Sequence, residues 1–360
     1  MSDYVETALA RIKDIYEKTD KKLVLSFSGG KDSTVLAELY FMAKERGMVG
    51  HIPIIFADTQ VEYNAIYEFV EWFSKNKQEV IYLKPRKSFP QVLKEYGKPT
   101  MSKIKSDFLS TYQKNIGTEK DPLEVIRINN LITGYMLGKD RQPMIKNGKK
   151  VMSKNRLANK HFNFLHHDHE YKISSKCCDY LKKLPFEDYY VEHDINGALL
   201  GIRLSEGGLR AMVYTDYIME KDVRGKDFIH GLPLIDWSEK QIEQFIKGRD
   251  LKLSKAYTEY GLDRTGCIGC PFAKDIDKNL KILYDFEPNK YKAVQRWLGD
   301  VYVDLEVELP FDQEYTQKLQ ERMKTLQERR YKMLKQYRPK IAHKWKPKIQ
   351  LDLELDDENN

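Results

Sequence analysis

The stretch LVLSFSGGKDSTVLAELY, residues 23–40, limits what this chain can fold into more than any other. An apolar, β-branched run enters two adjacent glycines, and a run of helix-forming residues leaves them. The glycines let backbone N–H groups converge, and the amides of a first helical turn add positive potential, so a strand–turn–helix of this kind receives an anion. Lys31 contributes a full charge, and Ser28 and Ser33 contribute hydroxyl donors. The spacing G-x-x-x-x-G-K-[ST] is absent, so the turn is not that of an ordinary P-loop NTPase.

The surrounding pattern repeats the theme. Residues 23–28, 52–57 and the run EVIYLKP read as buried strands, and the segments STVLAELYFMAKERG and NAIYEFVEWFSKN between them read as helices. In the first of these helices Val35, Leu36, Leu39 and Ala43 fall at helical spacing, and the segment closes on Gly47. Strand, helix, strand, helix, strand implies parallel pairing through crossovers. The predicted fold class is α/β: a parallel sheet flanked by helices, Rossmann-like, with a basic insertion and a helical C-terminal region. Asp58 and Thr59 then sit at the carboxyl end of the second strand, where open α/β sheets bind ligands.

Residues 101–175 differ in composition, being rich in Lys, Asn and Gly, with His161, His166, His167 and His169 close together; a polar surface loop and a metal site are both readings of that histidine group. The α/β pattern resumes with GALLGIRL and MVYTDYI. In PLIDWSEKQIEQFIKGR, Ser238 and Gln241 are placed for a capping box with Ile242, Phe245 and Ile246 facing inward. The predicted organisation is a first half of the nucleotide-binding domain over 1–100, an insertion over 101–175, a second half over 176–295, and a basic helical extension with an acidic tail over 296–360. In that extension Tyr331, Tyr337 and Trp345 interleave with Lys and Arg, a combination suited to phosphate contact and base stacking, or to a solvated helical face.

The net charge is +7, and no stretch approaches the ~18–20 apolar residues of a membrane span. The first residues read as an amphipathic helix, not a signal peptide, so a cytoplasmic protein with no membrane partner is expected. The four cysteines occur as Cys177-Cys178 and Cys267-x-x-Cys270. Such pairs suggest metal or redox chemistry, and four thiolates can enclose a [4Fe–4S] cluster or a structural zinc. Adjacent cysteines are awkward for a zinc knuckle, which uses a spacer of two to four residues. GIRLSEGGLRA adds Arg203 and Arg210 at a strand end, where planar guanidinium groups suit phosphate or sulfate oxygens.

Residues 28–33 match the SGGxDS motif of the PP-loop ATP pyrophosphatases in full. FADTQVEY resembles the strand-end DTG-like motif of the phosphoadenosine-phosphosulfate (PAPS) reductase branch, with Gln60 where glycine is usual. KCCDYLKK followed by YGLDRTGCIGCPF resembles the cluster-binding pattern of iron–sulfur adenylyl-sulfate reductases and of the PP-loop ATPases of DNA phosphorothioation. GIRLSEGGLR matches the stretch G-I-R-x-x-E-S-x-x-R, with Gly207 where serine is common. The resemblance spans residues 20 to about 295, apart from 101–175.

It implies an adenine nucleotide, ATP or else PAPS or adenylyl sulfate, together with Mg²⁺ and a [4Fe–4S] cluster on Cys177, Cys178, Cys267 and Cys270. Lys31, Asp32 and Asp58 would be catalytic. Ser28, Gly29, Gly30, Lys31, Asp32, Ser33, Asp58, Thr59, Gly201 and Arg203 would bind the nucleotide. Lys182, Arg203, Glu206, Arg210 and Arg264 would meet a substrate anion. Reductases of this family attack with a cysteine near the C-terminus, and no cysteine follows Cys270. The favoured expectation is therefore an enzyme that cleaves the α–β bond of ATP in sulfur transfer or nucleic-acid modification, with DNA or tRNA and proteins of a modification system as partners. Sulfonucleotide reduction and a non-catalytic nucleotide- or nucleic-acid-binding subunit are the alternatives.

Overall fold

The computed structural model describes residues 3–116, 126–138, 140, 142–167, 169–206, 213–345 and 347. By contacts the chain forms two compact units, residues 1–89 with 178–267 and residues 90–177 with 268–360. Each unit is thus assembled from two separate stretches of sequence. The compositionally distinct segment 101–175 and the extension 296–360 fall in the same unit.

The first unit holds β1 (Leu23–Ser26), β2 (Ile54–Ala57) and β3 (Val80–Leu83) with α1 (Asp3–Lys18), α2 (Lys31–Glu45) and α3 (Asn64–Asn76). After the short ribbon β4 (Ile145–Lys146) and β5 (Lys149–Lys150) of the second unit come β6 (Gly197–Leu200), β7 (Ile218–Val223) and β8 (Lys226–Gly231). Among the described residues they form a six-stranded sheet in the order β3-β2-β1-β6-β8-β7. Every pairing is parallel except β7 with β8, an antiparallel edge hairpin. That hairpin closes on Arg224 and Gly225, both at positive φ (56° and 82°), the backbone of a tight two-residue turn.

The chain builds outward from β1 to β2 and β3, then returns to add β6 on the other side of β1. The strand order reverses at β1, and in open α/β sheets ligands bind outside the carboxyl ends at such a reversal. The sheet is held by burial on both faces. Val24, Ile55, Leu83, Ala198 and Phe228 gather on one side with Tyr190 of the helix Leu184–Glu192, each large apolar side chain contributing about 1.5–3 kcal/mol. Close approach by α1 requires small residues on the strands: a Cβ on Gly231 would lie 2.7 Å from Ile15 Cδ1.

The second unit is mainly helical, with Lys103–Asn115, Ile126–Thr133, Pro288–Asp304 and the long helix Gln313–Tyr337. Leu109, Leu131, Phe162, Phe164, Leu326 and Leu334 are buried in it. The long helix is capped by Asp312, whose carboxylate accepts from the Tyr315 amide at 3.0 Å. No described helix is long and apolar enough to cross a membrane.

Candidate functional site

β1 delivers the chain into Ser28, Gly29 and Gly30, and α2 begins at Lys31. Gly29 has φ +67°, and a Cβ there would stand 3.0 Å from Ile66 Cγ2 of α3, so backbone and packing both demand glycine. Gly30 caps α2 without a side-chain hydrogen bond, which leaves the positive end of the helix to the turn. A Cβ on Gly30 would meet three hydroxyl oxygens within 3.2 Å, those of Thr265, Ser28 and Tyr257.

The turn is braced from within. The Ser28 amide donates to Ser33 Oγ at 3.2 Å, and Ser33 Oγ and Thr34 Oγ1 donate to the Gly30 carbonyl at 2.9 and 3.0 Å. The Lys31 amide donates to the Tyr257 hydroxyl at 3.2 Å, and that hydroxyl donates to Thr265 Oγ1 at 3.3 Å. β6 meets this turn at Gly201: a Cβ there would fall 3.0 Å from the Asp32 carbonyl carbon and the Ser33 amide. Glycine at 201 lets the end of β6 lie directly on the first turn of α2.

Two residues later the same strand end presents Arg203, which is 2% exposed. Its Nε donates to Asp32 Oδ1 at 2.9 Å, its Nη1 to Ser205 Oγ at 2.9 Å and its Nη2 to Glu239 Oε2 at 2.6 Å. The other Glu239 oxygen pairs with Lys31 Nζ. Glu239 opens the helix Glu239–Gly248, whose capping box of Ser238 and Gln241 forms as the sequence indicates, with Ile242 and Phe245 buried. Burial raises the Glu239 pKa, but hydrogen bonds from Lys31 and Arg203 outweigh it and hold the carboxyl below the usual range. Burial lowers the Arg203 pKa, and Asp32 and Glu239 more than restore it.

Asp58 follows β2 and accepts from the Tyr67 hydroxyl at 2.9 Å and from the Gln60 amide at 3.2 Å. Gln60, standing where glycine is usual, adopts φ +63°, the left-handed backbone glycine would supply. Thr59 is fully buried, and its hydroxyl donates to Glu62 Oε1 at 3.1 Å.

Glu62, itself 5% exposed, ties Thr59 to the cysteines of this unit. Lys182 Nζ donates to Glu62 Oε1 at 3.1 Å, and Cys267 Sγ lies 3.9 Å from the same oxygen. Lys182 stands in a π-helical segment, Asp179–Lys183, directly after Cys178; such segments are rare overall and frequent at functional sites. Burial pushes the Cys267 thiol up to about 11, with Lys182 opposing and Glu62 and Cys178 adding to the rise. Burial works against the Lys182 charge, yet Cys267, Glu62 and Cys178 hold its pKa above the usual value.

Cys178 and Cys267 thus contribute two thiols to this unit, with the Lys182 ammonium near them. Cys177 and Cys270 belong to the second unit. Among the described residues no group of three or more His, Cys, Asp or Glu side chains is disposed to hold a metal ion. Arg264 lies on an exposed stretch. Glu206 ends a short 3₁₀ turn, its side chain outside what is described, and Arg210 lies outside the described residues. In the second unit His169 Nδ1 lies 3.7 Å from Asp304, and the His161 imidazole is pushed down to about 3, chiefly by burial.

Sequence reasoning brought Ser28–Ser33, Gly201 and Arg203 to one place. It missed Glu239, Tyr257, Thr265 and Glu62. Glu239 had one local signal, an acid in the first turn of a helix with a recognisable cap, but nothing local pairs it with Lys31.

A model of the phosphoadenosine phosphosulfate reductase domain matches residues 22–120 and 142–273, more than half of the chain. An uncharacterized protein of Methanocaldococcus jannaschii, MJ0066, is 24% identical over 299 residues, which is 82% of this chain and 45% of that protein. The chain thus spans about half the length of this curated relative. Among solved structures, the phosphoadenylyl-sulfate reductase of Candida auris in a phosphate complex is 14% identical with a TM-score of 0.38, covering 68% of this chain and 81% of that one. The FMN adenylyltransferase of Candida glabrata is 14% identical with a TM-score of 0.42, covering 74% and 61%.

Proposed function

The chain belongs to the phosphoadenosine phosphosulfate reductase domain family, and from that premise we propose that it binds MgATP and cleaves the α–β bond, giving pyrophosphate with AMP or an adenylylated acceptor. The observation that carries this reading is the meeting of the Ser28–Ser33 turn, Gly201 and Arg203 at the reversal of strand order. The first-turn amides of α2 and Lys31 hold the departing pyrophosphate, and preorganised donors aimed at charge that grows in the transition state are the largest single source of such catalysis. Asp32 orients Arg203, and Asp58, held by Tyr67, contacts the nucleoside or the metal-bound phosphate.

The family resemblance implies a [4Fe–4S] cluster for the cysteine pairs Cys177-Cys178 and Cys267-x-x-Cys270, and Lys182 would balance the thiolate charge of Cys178 and Cys267. When bound, the cluster would supply electrons or a sulfur-coordinating iron to sulfur transfer. All four cysteines of the sequence are in these two pairs, which leaves none of them as the nucleophile a sulfonucleotide reductase needs. The acceptor would be a nucleic acid, DNA or tRNA, met by the basic C-terminal region.

An anaerobic product assay tests the reading. With Mg²⁺ and ATP the purified protein should yield AMP and pyrophosphate, faster with the nucleic acid it modifies. Asp32→Ala should abolish that turnover and retain iron, whereas Cys267→Ser should lose iron. Sulfite from PAPS or adenylyl sulfate and a thiol, with no ATP cleavage, would establish the reductase reading instead. Turnover unchanged in Asp32→Ala would sink the assignment of the site.

A further inference from the structure

Resting on the phosphate reading of the Ser28–Ser33 turn, we infer that Glu239 is a stand-in anion: its carboxylate occupies the place of a ligand phosphoryl group between Lys31 and Arg203, and leaves when that group binds. The geometry is that of a bound anion. One oxygen pairs with Lys31 Nζ and the other accepts from Arg203 Nη2 at 2.6 Å, so a single carboxylate bridges the two cations at the mouth of the turn. A phosphoryl group bears the same oxygens in similar array and more charge.

Burial separates the parts that stay from the part that moves. The Arg203 side chain is 3% exposed and Asp32 14%, whereas Glu239 is 46% exposed. Glu239 is also the first residue of its helix, where a change of side-chain rotamer carries the carboxylate into water without moving buried neighbours. Arg203 keeps its bonds to Asp32 and Ser205 throughout.

The exchange has a charge logic. Asp32 and Glu239 balance Lys31 and Arg203, so Arg203 is not left as an uncompensated buried cation, which would be strongly destabilising. An incoming singly charged group only replaces one negative charge by another. A phosphoryl or pyrophosphate group with two or more charges gains attraction on replacing the carboxylate, so Glu239 selects multiply charged phosphates at this turn.

Inorganic pyrophosphate is the probe, titrated calorimetrically into wild-type protein, Glu239→Gln and Glu239→Ala. Both variants should bind it several-fold to tenfold more tightly, because the competing carboxylate is gone. Without ligand both should melt at lower temperature than wild type, and saturating pyrophosphate should return them to the wild-type value. Wild-type protein that binds while both folded variants bind equally or more weakly would overturn the exchange and make Glu239 a ligand-holding residue. Pyrophosphate binding to none of the three would overturn the phosphate reading and the exchange together. Glu239→Ala with native circular dichroism guards against loss of binding through misfolding.

Discussion

At residue 29 the chain has no freedom, and at residue 60 it accepts strain. Gly29 (φ +67°) and Gln60 (φ +63°) share the left-handed backbone, which costs a residue bearing a Cβ about 1–2 kcal/mol. Gly29→Ala adds to that cost a Cβ 3.0 Å from Ile66 Cγ2, so a loss of at least about 2 kcal/mol is expected, with weakened pyrophosphate binding. Gln60→Gly removes the strain but gives the unfolded chain more freedom, worth about 0.5–1 kcal/mol in the other direction. It should therefore lie between neutral and about 1.5 kcal/mol more stable than wild type. Urea midpoints of the two variants check the pair, and a Gly29→Ala protein as stable as Gln60→Gly would contradict the account.

Among the elements, the helix Glu239–Gly248 and the amino ends of the strands carry the clearest expectations. Ser238 Oγ caps that helix by accepting from the Gln241 amide at 3.3 Å, and Ser238→Ala should cost about 1 kcal/mol. It should also loosen the turn that bears Glu239. Beside the amino ends of β1, β6 and β8, Lys22 and Lys226 both pair with Asp194. Their hydrogen bonds pull the Asp194 carboxyl down to about 2. A carboxyl lowered by folding adds stability above its unfolded pKa and loses it as the pH falls toward 2. Asp194→Asn should therefore be slightly less stable than wild type at neutral pH, and the difference should vanish near pH 2 and shrink in high salt.

The same elements show what was legible. Strands β1 to β3, helices α2 and α3 and the capping box were readable because apolar periodicity and end signals agree there. The β7–β8 hairpin was not. MVYTDYI pointed to a strand a few residues early, the paired segments IMEKDV and KDFIHG are half-polar, and Arg224-Gly225 is not a usual turn signal. At the site, the SGGKDS turn is local in sequence and was read in full. The pair Lys31–Glu239 spans 208 residues and depends on how β6 and the following helix return to α2, which no spacing encodes.

For the molecule as a whole, a net charge of +7 matters only through which cations reach solvent. Several of the basic and aromatic residues near the C-terminus are engaged inside the second unit. Arg330 is 3% exposed and pairs with Glu306, and Arg338 donates to the Ile132 carbonyl at 2.9 Å and to Asn159 Oδ1 at 2.6 Å. Tyr337 shares a hydroxyl contact of 3.1 Å with Tyr112, and Tyr331 stacks on Trp345. These hold the unit together, so Arg330→Ala should unfold it rather than tune a partner. Lys332, Lys335, Lys340 and Lys344 are exposed and remain for phosphate contact. On the proposal that the acceptor is a nucleic acid, log K for duplex DNA should fall linearly with log salt, by about 0.9 per phosphate neutralised. Lys332→Gln with Lys335→Gln should then weaken binding of unrelated sequences alike and reduce the slope by about 1 for each contact removed, with ATP cleavage in the absence of DNA unchanged. A slope of zero in the wild-type protein, for duplex DNA and tRNA alike, would remove nucleic acid as the acceptor and leave a small molecule in its place.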